Sequence, residues 1–138
     1  MSLEQIIAHG NRNFEPRAQS IPNNLTCKDG FTLSVIAGEG AYCSPRPNRY
    51  GLKSDAHTVT SDYSGPYTAV EVGYPSERPE PWECSAWHDG HDRHKDHPVC
   101  DGWGRYAEVP GSYGESSVYG WMPVEMVRAL VASHGGEA

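Results

Sequence analysis

The chain has 138 residues, a hydrophobic fraction of 37% and a formal net charge of −7. That length suits one domain with a modest core, and 15 glycines with 11 prolines favour short elements and many loops over a helical bundle. The acidic balance excludes a general binder of duplex DNA or RNA, which needs a basic patch for phosphates, but leaves room for a small anion held by two or three arginines.

No stretch approaches the length of a membrane span. Met1 to Gln5 lacks the basic and apolar regions of a signal peptide, so a cytoplasmic protein is expected. Its four cysteines are then expected as reduced thiols or metal ligands rather than as a disulfide framework.

Residues 1–28 read as a helix and an arm. Ser2 and Gln5 fit a capping box ahead of Leu3, Ile6 and Ile7, which predicts a helix to about His9, stopped by Gly10. From Asn11 to Asn24 the chain is polar and carries Pro16 and Pro22, the pattern of an extended arm on the surface or on a partner subunit.

Residues 29–74 read as a sheet. Asp29-Gly30 marks a turn, and Phe31, Leu33 and Val35 then alternate with Thr32, Ser34 and Ile36, giving a strand with one apolar face. Gly38-Glu39-Gly40 predicts a tight turn and Ala41 to Ser44 a returning strand, a hairpin. Pro45 and Pro47 stiffen the loop that carries Arg46, and Asn48 to Gly65 reads as polar loop. The stretch Tyr67 to Tyr74 is rich in β-branched and aromatic residues and is bounded by Gly65-Pro66 and Pro75-Ser76; it reads as a central strand. Alternation puts Thr68, Val70, Val72 and Tyr74 on a core face and Tyr67, Ala69, Glu71 and Gly73 on the other.

Residues 75–117 read as a long irregular loop, uncommon in a compact domain unless functional or disordered, and its tryptophans and histidines argue against a plain linker. Residues 118–136 read as a strand followed by a helix. Pro123 suits the helix start, Val124, Val127, Leu130 and Val131 form an apolar stripe, and Gly135-Gly136 caps the end. The whole predicts a single α+β domain: a small antiparallel sheet with the C-terminal helix packed on it.

Three constellations could carry chemistry. Cys84, His88, His91, His94, His97 and Cys100 offer soft ligands to zinc, Cys84, His88, His91 and Cys100 making one possible set. Their spacing matches no specific zinc motif, and the interleaved charges also fit a solvated loop. No nucleophile elbow, HExxH or phosphate-cradling Gly-rich loop is present; His57 and Glu71 are candidate bases without a placed nucleophile, so no enzymatic activity is expected. Arg46, Arg78 and Arg128 lie on stiff elements or strand ends, where guanidinium groups can grip phosphate bidentately.

The blocks Asp29-Gly30-Phe31, Tyr42-Cys43-Ser44-Pro45-Arg46, Tyr67 to Ser76 and Val118 to Arg128 occur in that order. Together they resemble the first Thoeris anti-defence family of bacteriophage proteins. The resemblance implies a sponge that captures cyclic ADP-ribose-type signals made by bacterial TIR-domain proteins, in some members also cyclic oligonucleotides, without cleaving them. It implies ligand contacts from Arg46 and Arg128, with Cys43 and Pro45 beside the first and Met126 and Val127 beside the second; Arg78, just after the central strand, and Trp103, as an aromatic, are further candidate ligand contacts on the residues' own chemistry. It implies dimers that build a hexamer, which with the absence of a signal peptide puts the expected site of action in the host cytoplasm; no cofactor is expected, zinc on the Cys/His loop being the alternative. It does not cover the N-terminal arm or the His-rich loop. A stacker for the base is expected among Trp103, Tyr106 and Trp121. Phe14 and Ile21 in the arm, with Tyr67 and Ala69 on an open sheet face, also favour a homo-oligomer. Two rival readings are an inhibitor that blocks a host defence protein by direct binding and a small zinc-binding module.

Overall fold

The structure, a computed structural model, describes residues 1–12, 24–48, 58–60, 63–84, 100–107 and 117–138. The first helix, α1, spans Leu3–His9; Ser2 closes its capping box with Gln5, through Gln5 N–H to Ser2 Oγ (3.2 Å) and Ser2 N–H to Gln5 Oε1 (2.8 Å), and Gly10 ends it. Strands β1 (Asn24–Thr26) and β2 (Thr32–Ile36) follow, then β3 (Arg46–Asn48), β4 (Thr58–Thr60) and β5 (Ala69–Gly73). Next come β6 (Trp82–Cys84), β7 (Cys100–Gly102) and a 3-10 turn over Trp103–Tyr106. Strand β8 (Val118–Pro123) leads into α2 (Val124–Ser133).

Four strands form one antiparallel sheet in the order β1-β2-β5-β8. With the C-terminal helix packed on it, the fold is the α+β architecture that the pattern predicts. Register explains the core. Leu25 faces Leu33, Val35 faces Val72, and Val70 faces Met122; all are buried, so pairing across the ladders concentrates the apolar side chains on one face. Leu3, Ile6 and Ile7 of α1 and Val127, Leu130 and Val131 of α2 complete that cluster. Gly73 takes its place between Ser34 and Val118, so what approaches its backbone is the neighbouring strands.

The predicted hairpin partner of β2 is different. Residues 41–44 do not return along β2, because β1 and β5 already occupy both of its edges. They form a compact loop instead: Ala41 N–H donates to Gly38 O (3.1 Å), and Ser44 bridges to Ala69. The hairpin is β1–β2, built from the last residues assigned to the arm. Residues 13–23, with Phe14 and Ile21, lie outside the described residues. Tyr74 also leaves its expected face: β5 stops at Gly73, Tyr74 adopts φ 51°, and the residue is 64% exposed. Tyr67 and Ala69, expected on an open face, are covered within the chain; Tyr67 N–H donates to Ile7 O (2.8 Å). That close approach of strand entry and α1 needs Gly65, where φ is +94° and a Cβ would stand 2.1 Å from Ala8 O.

The connection from β5 to β8 carries more order than its sequence suggests. Strands β6 and β7 pair antiparallel, and the 3-10 turn delivers Trp103 into the core. Its ring meets Tyr119 edge-on at 5.3 Å, and Trp82 meets the same tyrosine at 6.1 Å.

Burial raises the phenol pKa values of Tyr67 and Tyr119 well above the ordinary value of about 10. A raised folded-state pKa favours the protonated form, so this contribution is complete below pH ~10 and is lost as pH climbs further. The expected result is a cooperative alkaline unfolding in which tyrosinate absorbance and loss of near-ultraviolet dichroism rise together. Tyr67→Phe should move that transition to higher pH; ionisation of all tyrosines without unfolding would contradict it.

Candidate functional site

The site is built where β8 carries an extra residue. Val70 pairs with Met122 and Val72 with Tyr119, so Gly120 and Trp121 together oppose Glu71. Such a bulge re-aims a side chain. Here it holds Trp121 at φ 54° with the residue 45% exposed, while Tyr119 and Met122 on either side are fully buried.

Trp121 does not stand alone. Its ring stacks on Tyr42 with centroids 4.8 Å apart and planes inclined by 25°. Tyr42 is itself 37% exposed. On it lies the Arg46 guanidinium, 5.1 Å from the ring centroid, within cation–π range. The backbone fixes this column. Trp121 N–H donates to Tyr42 O (3.0 Å), and Tyr42 N–H donates to Glu71 Oε1 (3.1 Å). One turn of chain later Ser44 N–H donates to Ala69 O (3.0 Å), while Thr68 N–H donates to Ser44 O (2.8 Å). Glu71 thus holds a backbone donor of the loop. Arg46 itself is in β3, which pairs in parallel with β4 through Arg46 opposite Thr58.

Cys43 and Pro45 support this loop. The Cys43 Sγ is buried and contacts Gly38 N (3.4 Å) and Pro45 O (3.4 Å). Burial pushes its thiol pKa up, which suits packing rather than nucleophilic chemistry.

The other predicted site residues stand elsewhere. Arg128 is clamped by Glu4 of α1, with Nε 2.9 Å from Oε2 and Nη2 2.8 Å from Oε1, and also pairs with Glu125. The hydrogen bonds from Arg128 lower the Glu4 pKa, and the same carboxylate raises that of Arg128. Arg78 pairs with Glu80 (3.1 Å) and lies over Trp82 at 5.9 Å. Val127 and Trp103 are core residues, and Met126 packs against the core. Trp103 has no exposed face, which leaves Trp121 as the exposed tryptophan of the three expected stackers; Tyr106 is half-buried against the core. Tyr42, placed in a strand by its sequence, is the site residue that sequence reasoning missed. Its signal was Arg46 four residues later, at a spacing that only the compact loop turns into contact.

A second concavity, of about 220 Å³, is lined by Asp29, Gly30, Phe31, Ser76 and Glu77. Beside it His134 stacks on Phe31 at 3.9 Å and bonds Asp29 Oδ2 through Nδ1 (2.6 Å). Two carboxylates on its wall oppose a phosphate ligand.

Among the described residues, no group of three or more histidines, cysteines or acids is placed to hold a metal. Cys84 and Cys100 lie in β6 and β7, while His88 and His91 lie outside the described residues. Among the described residues no helix is long and apolar enough to cross a membrane. The fold and this ledge together define a small α+β domain that presents an aromatic–cationic surface. No family model, curated protein or solved structure matches the chain.

Proposed function

We propose that the chain binds and sequesters cyclic nucleotide immune signals, cyclic ADP-ribose isomers first and cyclic oligonucleotides second, without cleaving them. In this reading it is a phage anti-defence protein acting as a homo-oligomer, a dimer or a hexamer, in the host cytoplasm. The observation that carries the proposal is the exposed Tyr42–Trp121 stack with Arg46 laid over it. A nucleotide offers a flat base and an anionic phosphate, and the ledge offers a flat aromatic surface next to a guanidinium. Arg128 joins as a second phosphate contact only by exchanging its Glu4 carboxylate for the ligand.

The purified protein, exposed to a lysate of an activated TIR-domain enzyme and then heat-denatured, should release an intact nucleotide detectable by mass spectrometry. Release of a hydrolysed product would make the protein an enzyme. The exposed aromatics also suit the direct blocking of a host defence protein; that rival predicts no released nucleotide and a stable protein complex instead.

A further inference from the structure

Cys84 and Cys100 face each other in the antiparallel ladder of β6 and β7. The hydrogen bonding sets the kind of pair they make. Trp103 N–H donates to Pro81 O (2.8 Å), so 81 and 103 are a hydrogen-bonded pair. In an antiparallel ladder such pairs alternate with non-hydrogen-bonded ones. Trp82 with Gly102 is therefore non-hydrogen-bonded, Glu83 with Asp101 hydrogen-bonded, and Cys84 with Cys100 non-hydrogen-bonded. In that last class the Cα atoms stand about 4.5 Å apart. A disulfide accepts Cα separations of roughly 4.4–6.8 Å. The separation of that class falls within this range, so a bridge between the two facing cysteines closes without moving the strands.

We propose that Cys84 and Cys100 form a cross-strand disulfide that closes the segment 85–99. The composition alone favours free thiols or zinc ligands for these residues; the register favours each other. The chemistry needs a disulfide oxidant such as glutathione disulfide. One cysteine thiolate attacks it, forms a mixed disulfide and releases one glutathione thiolate. The second cysteine thiolate then attacks the protein sulfur of that mixed disulfide and releases the other glutathione. Two protein thiols are oxidised and one glutathione disulfide is reduced. Cys27 and Cys43 stay outside this exchange: both are buried, and burial, the largest cause for each, raises their thiol pKa values. The bridge locks the ladder whose other end holds Trp82 and leads into Trp103.

The test uses the full chain, equilibrated with glutathione disulfide, denatured and alkylated. Two cysteines, Cys27 and Cys43, should be labelled, and peptide mapping should link Cys84 to Cys100. The thermal midpoint should lie roughly 5–10 °C above that of the reduced chain, and Cys84→Ser and Cys100→Ser should each lose both the link and the shift. Labelling of all four cysteines would overturn the proposal, as would a bridge to Cys27 or Cys43. So would zinc bound in equimolar amount that protects Cys84 and Cys100 from alkylation until a chelator is added.

Discussion

Trp103→Ala is expected to lower the unfolding free energy by about 3–5 kcal/mol, a large share of the roughly 5–15 kcal/mol that holds a domain together. The indole is fully buried and meets Tyr119 edge-on. Its backbone N–H donates to Pro81 O, just ahead of β6 (2.8 Å). Alanine would leave a cavity between that turn and Tyr119 of β8. The Nε1 atom finds no hydrogen-bond partner among the described residues. Trp103→Phe should therefore cost clearly less than Trp103→Ala: it keeps an aromatic ring against Tyr119 and removes a buried unsatisfied donor. Urea unfolding followed by fluorescence and far-ultraviolet dichroism would measure both. A loss below about 1 kcal/mol for the alanine variant would mean that the 100–107 segment is not part of the core.

The contrast between Trp103 and Trp121 also measures how much was legible in the sequence. Helix α1, its capping box, the apolar stripe of α2 and the central strand β5 could be read because each is specified locally, by period and by capping chemistry. The four-strand order, with β2 between β1 and β5, could not. Which strand occupies an edge depends on long-range pairing, and Ala41 to Ser44 has as good a strand pattern as Asn24 to Thr26. Neither tryptophan announces its exposure. Trp103 follows a ladder hidden inside a stretch that reads as loop, and Trp121 is turned outward by a single extra residue in β8. Period-two reasoning assumes an unbroken pleat, so a bulge defeats it at the residue that matters. Arg46 was readable as a stiffened cation after a proline; its aromatic bed was not, because Tyr42 reaches it only through the loop that replaced the predicted strand.

Trp121→Ala and Arg46→Ala carry the largest expected effects on binding. A base stacked on an aromatic side chain is worth about 1–3 kcal/mol, and a charged hydrogen bond to phosphate about 1.5–3 kcal/mol. At 1.4 kcal/mol per factor of ten, each substitution should weaken capture of a cyclic ADP-ribose isomer by about tenfold to a hundredfold. The double variant should lose binding beyond the range of calorimetry at micromolar protein. Neither change should unfold the chain. Trp121 is half in solvent, alanine suffers the same positive φ as tryptophan, and Arg46 is exposed. Because both residues meet through Tyr42, their effects should be coupled rather than additive, and a double-mutant cycle should return a non-zero interaction term. Arg46→Lys should recover only part of the loss: a lysine keeps the charge but not the planar fork that stands over Tyr42 and can grip two oxygens at once. Arg128→Ala is the control on the alternative geometry. If it alone abolishes capture while Trp121→Ala and Arg46→Ala bind normally, the ligand sits on α2 and the ledge is not the site.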